Sequence, residues 1–189
     1  MTLLLLAGLG ACDKQSPPAG QGPNASEEAT GPGQSGAPGK EGAFSYTIDR
    51  SKAGTPAPDF TFQNPDGSDA ALKDFAGKPM LVNLWATWCA PCVKELPTLD
   101  ALSASSRIRV LAVSQDTEGG VRIASFLKEK GAPHLQPWLD PENDLSFHYA
   151  TGTLPTSVLY DAQGREVWRF VGENDWSSTG AAALIAEAG

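Results

Sequence analysis

Two cysteines separated by two residues, Cys89 and Cys92, lie in the stretch Trp85-Ala86-Thr87-Trp88-Cys89-Ala90-Pro91-Cys92. A C-x-x-C pair where a strand runs into a helix is a setting for thiol–disulfide exchange. The attacking species in that chemistry is the thiolate. Cys89 falls where the first turn of a helix is expected, and the unpaired N–H groups and positive dipole end there favour a negative sulfur. Cys92, one turn on, can donate its S–H to that sulfur. Cys89 is therefore assigned as the nucleophile and Cys92 as the buried resolving thiol. A structural disulfide or half a zinc site are the other readings of such a pair. Zinc would need two further ligands, and His134 and His148 are too widely spaced for a finger, so neither metal nor cofactor is expected. Glu95 follows Cys92 by three residues and shares its helical face. A partly buried carboxylate there can take the proton that Cys92 must lose; the other reading is a solvent-facing Glu in the second turn.

The elements that must hold these residues can be read from periodicity. Met80 to Leu84 is an apolar run that reads as a buried strand. Val93, Leu96, Leu99 and Leu102 recur every three residues as one helix face, and Pro97 within it predicts a kink. Ile108 to Ser114 reads as a second buried strand. Glu118 to Lys130 reads as a helix with Val121, Ala124 and Leu127 on its apolar face and Gly131 as its stop. Leu135 to Leu139 predicts a short strand and residues 141–150 a short helix. Thr156 to Tyr160 and Glu166 to Val171 form a hairpin through Asp161-Ala162-Gln163-Gly164. Asp175 to Ala188 closes as a helix with Leu184 and Ile185 inward. The order β-α-β-α-β-(α)-β-β-α predicts an α/β domain, its sheet flanked by helices on both faces. Trp85 is placed in the core, and Trp88 beside the sulfurs, excluding water. Trp138, Trp168, Trp176 and both histidines are assigned to packing or surface.

Composition bounds the rest. The chain has 189 residues, 41% of them hydrophobic, enough for one packed domain and an appendage. A net charge of −8, from 14 basic and 22 acidic residues, argues against nucleic acid, whose phosphates need a basic surface. Three cysteines do not make a disulfide-stapled scaffold. No run nears the roughly 20 apolar residues of a membrane-spanning helix. Leu3 to Leu9, followed by Gly10-Ala11-Cys12, reads as an export signal over residues 1–11. Residues 12–43 are rich in Pro, Gly and Ser and read as a disordered tether with a root-mean-square span of roughly 30 Å. The folded domain is expected over residues 44–189.

The run WATWCAPC followed by VKELP resembles the thioredoxin superfamily, and within it the TlpA/ResA-like membrane-tethered thiol–disulfide oxidoreductases. Matching features extend from about Thr55 to near the C-terminus. The resemblance implies a thioredoxin-like fold with a central mixed sheet. It also implies an N-terminal β-hairpin extension, carried by Pro56-Ala57-Pro58-Asp59-Phe60, a turn at Asn64 to Ser68, and a segment ending Gly77-Lys78-Pro79. Gly152-Thr153-Leu154-Pro155-Thr156 resembles the cis-proline loop of that superfamily. It implies a cis Leu154–Pro155 bond against the sulfurs, with the Leu154 backbone pairing with an extended substrate segment; an ordinary trans turn is the alternative. Trp88, Pro91, Leu154 and Pro155 are the expected substrate-binding residues. Glu95, in C-x-x-C-x-x-E-x-P, resembles the proton acceptor of ResA-like proteins, and Asn83 stands where ordinary thioredoxins carry a buried acid. Leu9-Gly10-Ala11-Cys12 resembles a bacterial lipobox, which implies lipidation at Cys12; ordinary secretory cleavage is the alternative. With Asp13 next to it, the implied location is the periplasmic face of the inner membrane, or the outside of the membrane in a single-membrane cell. The implied partners are disulfide-containing proteins, such as apocytochrome c or copper-site assembly proteins, and a membrane electron donor of the DsbD or CcdA type. A Sco-like copper chaperone is the second hypothesis, because soft thiolates suit Cu(I), but Sco-like sites use C-x-x-x-C and a dedicated histidine. A peroxiredoxin relative is the third; it needs Thr three residues before its cysteine, and Thr87 stands two before Cys89.

Overall fold

The computed structural model describes residues 46–64, 66–117 and 119–189. The expected signal segment, Cys12 and the tether lie outside the described residues. Among these residues eight strands, β1 (Thr47–Asp49), β2 (Thr61–Gln63), β3 (Asp69–Ala71), β4 (Met80–Trp85), β5 (Arg109–Ser114), β6 (Trp138–Leu139), β7 (Thr156–Tyr160) and β8 (Glu166–Val171), form one sheet in the order β1-β8-β7-β4-β5-β6-β2-β3. Among the described residues four helices accompany it: α1 (Ala90–Ala104), α2 (Gly120–Glu129), α3 (Asp144–Tyr149) and α4 (Thr179–Ala186). The sheet is mixed: β4 runs parallel to β5 and antiparallel to β7. This is the thioredoxin-like arrangement that the resemblance implies.

β4 is buried at every position because both of its faces are covered. Side chains alternate across a strand, so Leu81 and Trp85 join a cluster with Leu96 and Leu99 of α1, Ile123 and Leu127 of α2 and Ala181 of α4. Met80, Val82 and Leu84 point the other way, to Leu72 of a 3₁₀ turn (Leu72–Phe75), Leu145 and Tyr149 of α3, and Phe62 of β2. The site strand is thus clamped between two cores, and its C-terminal end leads straight into the cysteine motif.

The hairpin extension is present. β2 pairs antiparallel with β3, and Gln63 bridges to Leu139 of β6. β1 was not foreseen; it pairs antiparallel with β8, Thr47 facing Val171. Four expectations need correction. Val121 is 77% exposed, and α2 instead buries Ile123 and Leu127 with Phe126 beside them; the inward stripe follows the i, i+3, i+4 spacing of these residues. The β7–β8 link runs one residue longer, through Arg165, whose C=O accepts from Asp161 N–H at 2.9 Å. The last helix starts only at Thr179, where the Ser178 hydroxyl accepts from Ala181 N–H and caps it. The strand expected over residues 135–139 shrinks to Trp138–Leu139. Pro97 lies inside α1 without ending it.

Candidate active site

Cys89 is the N-cap of α1, and its Sγ accepts the Cys92 N–H at 3.3 Å. Pro91 sits in the first turn, where a missing N–H costs no helix hydrogen bond. The two sulfurs are joined at 2.02 Å. Cys89 is 7% exposed and Cys92 is wholly buried. A cavity of about 460 Å³ opens at Cys89, lined among others by Trp88, Pro91, Gln115, Thr153 and Leu154.

The Leu154–Pro155 bond is cis, as the resemblance implies. Sheet register brings this loop to the cysteines: Thr156, just after Pro155, pairs with Leu84, just before Trp85. The loop is tied at both ends. Thr156 Oγ1 donates to Thr153 C=O at 2.7 Å and meets Thr151 Oγ1 at 2.9 Å. Pro155 C=O accepts from Gly172 N–H at 3.0 Å. Pro155 itself is buried, while Leu154 reaches the cavity.

Trp85 lies in the core as expected, but Trp88 is 70% exposed. Its ring turns outward beside the cavity at Cys89 and offers a partner an apolar surface. The cause is the turn that carries it. Cys89 N–H donates to Ala86 C=O at 3.1 Å, and Asp116 accepts from Thr87 N–H at 2.9 Å and from Thr87 Oγ1 at 2.6 Å. Ser114 Oγ adds a third donor to Asp116 at 2.7 Å. Asp116→Ala is expected to cost about 2 kcal/mol of stability, since it leaves these donors unpaired; chemical denaturation of the oxidised protein measures it.

Glu95 is not the solvent-facing residue that the sequence left open. It is 2% exposed and shares the buried stripe of α1 with Cys92, Leu96 and Leu99. Its Oε1 accepts from Asn83 Nδ2 at 2.7 Å. Its Oε2 accepts from Asn174 N–H at 3.1 Å and from Trp176 Nε1–H at 3.2 Å. Burial pushes the carboxyl up to about 8, outweighing the donors on Asn174, Asn83 and Trp176, which favour the anion; the charge of Glu173 adds a smaller upward push. Trp176, assigned from sequence to packing or surface, therefore touches the site. Asn174, Gln115 and Asp116 were also missed. The polar run Ser114-Gln115-Asp116-Thr117 at the end of a buried strand was a usable signal, because sites in open α/β sheets gather outside the carboxyl ends of strands. The chain after β8 carries no such mark.

A dithiol pair at a helix N-terminus, beside a proline loop on a thioredoxin-like sheet, defines a thiol–disulfide oxidoreductase. The family model named Redoxin matches residues 52–185. Thiol-disulfide oxidoreductase ResA of Bacillus anthracis is 31% identical over 143 residues, which span 70% of this chain and 82% of that protein. Thiol:disulfide interchange protein DsbE of Xylella fastidiosa is 32% identical over 123 residues, 63% of this chain and 61% of that protein. The crystal structure of a Chlorobium tepidum protein assigned as DsbE superposes with a TM-score of 0.63 at 26% identity, covering 72% of this chain and 98% of that one. The chain belongs to the Redoxin family, as a thiol–disulfide oxidoreductase of the ResA/DsbE type.

Proposed function

We propose that this protein is a lipid-anchored, extracytoplasmic reductant of protein disulfides. The observation that carries the reading is the inequality of the two sulfurs: Cys89 meets a cavity edged by Trp88 and Leu154, and Cys92 lies buried behind it. The Cys89 thiolate attacks one sulfur of a substrate disulfide. That S–S bond breaks, the other substrate sulfur leaves as a thiolate and takes a proton, and a mixed disulfide forms. Cys92 then gives its proton to Glu95 and attacks the Cys89 sulfur. The substrate's second cysteine leaves reduced, and two electrons have passed to it from the Cys89–Cys92 pair. The Leu154 main chain and the Trp88 face hold the extended substrate segment meanwhile. The oxidised protein is the product of this sequence, and its Glu95 is a carboxyl that favours keeping a proton near neutral pH.

Electrons return from a membrane donor of the DsbD or CcdA type, and the substrates are apocytochrome c or copper-site assembly proteins. The anchor is Cys12, in the lipobox-like run Leu9-Gly10-Ala11-Cys12; among the described residues no helix is long and apolar enough to cross a membrane. Acid-quench alkylation in cells tests the direction: Cys89 and Cys92 are expected to be mostly reduced, and a mostly oxidised pair with the donor intact would reverse the reading. Cys12→Ser is expected to move the protein from the membrane to the soluble exported fraction; persistent membrane association on fractionation would remove the lipid anchor from the proposal.

A further inference from the structure

The loop between β8 and α4 grips the helix that carries the cysteines at several points, all within one turn. Glu173 pairs with Lys94 at 2.7 Å. Asn174 N–H and the Trp176 indole N–H both reach Glu95 Oε2. Trp176 N–H donates to Thr98 Oγ1 at 3.2 Å, and that hydroxyl donates to the Glu95 C=O at 2.9 Å. The indole is buried and lies against Phe170 at 5.8 Å between ring centres. A ring serving only to fill space has no need to aim its N–H at a buried carboxylate, and two independent contacts, one from backbone and one from side chain, fix this one.

We infer that Trp176 is a positioning residue that sets the ionisation of Glu95, acting through its indole N–H. The groups facing the Glu95 carboxyl are few: the amides of Asn83 and Asn174, the indole, the charge of Glu173 with its Lys94 partner, and the sulfurs on its own helix. The donors favour the anion, and burial favours the acid. Removing one donor tips that balance toward the acid. At neutral pH a smaller share of the carboxyl is then the anion that can take the Cys92 proton. The consequence for turnover rests on the proposed role of Glu95; the consequence for its titration does not.

The test uses the full-length oxidised protein with ¹³C-labelled glutamate. Trp176 is replaced by 3-benzothienylalanine, which keeps the ring shape and lacks the N–H, and separately by Phe. The Glu95 carboxyl is expected to titrate about one pH unit higher in the benzothienyl protein than in the wild type. The pH dependence of insulin-disulfide reduction is expected to move the same way. An unchanged Glu95 titration in the benzothienyl protein overturns the inference, and the Trp176→Phe protein guards against a local effect of the sulfur heterocycle. A shifted titration with an unmoved pH–rate profile upholds the positioning role while removing Glu95 from the exchange reaction.

Discussion

Cys89→Ser is expected to lower protein-disulfide reduction by about 10³-fold or more, the scale seen when an essential nucleophile is removed. No other thiol among the described residues can take its place. Cys92 is fully enclosed, and the cavity at the motif opens onto Cys89. Cys92→Ser is expected to behave differently. Its first attack is intact, because Cys89 keeps its place at the start of α1, where the free N–H groups stabilise the thiolate. Its second step is gone. The variant should therefore accumulate a covalent complex with its substrate, visible on non-reducing gels and dispersed by reductant. Insulin turbidity reads the loss in both variants, and mass spectrometry of the trapped complex names the partner. Equal trapping by the two variants would reverse the assigned roles.

The second large effect belongs to Glu95. In the folded oxidised protein the carboxyl holds its proton up to about pH 8, because burial penalises the anion more than its donors favour it. In the unfolded chain it ionises near the ordinary value of 4.5. Between these limits unfolding releases a proton, so stability is complete below the lower value and falls as pH rises towards the upper one. The slope approaches about 1.4 kcal/mol per pH unit, the value for one proton, and the total is on the order of 5 kcal/mol. Glu95→Gln is expected to flatten this slope in urea titrations between pH 5 and 8. The same variant should slow turnover by roughly 10²-fold, the usual scale of a lost general base, and lose the limb of the pH–rate profile that reports the acceptor. A wild-type protein equally stable at pH 5 and pH 8 would sink the account of a buried, proton-holding carboxyl.

How far the residues alone could go depended on how locally each feature is encoded. Met80–Trp85 and Arg109–Ser114 were legible because strands buried on both faces read as continuous apolar runs. The motif was legible because spacing, strand and helix start coincide within eight residues. β1 was not, since a three-residue edge strand has no pattern of its own and exists only where Thr47–Asp49 meets β8. Val121 was misplaced because three apolar residues at helical spacing looked sufficient, while Ile123, Phe126 and Leu127 make the denser stripe. Glu95 was placed on the Cys92 face as a partly buried carboxylate, and the extent of its burial was not legible. Its position on one stripe with Cys92, Leu96 and Leu99 pointed inward, but its burial is completed by Asn174 and Trp176, from 79 and 81 residues further along. Contacts at that separation leave no local trace.

Both margins of the eight-stranded sheet are closed by one short stretch: β1 borders β8 and β3 is the far strand, yet both lie within residues 47–71. A single proteolytic loss of that stretch would bare β8 on one side and β6 on the other at the same moment. Unpaired strands of this kind recruit other chains. Such a trimmed molecule would carry two adhesive rims and should grow into chains of copies instead of merely softening. In the intact molecule the outermost strands are β1 and β3, each three residues long, and edges that short offer another chain little to pair with.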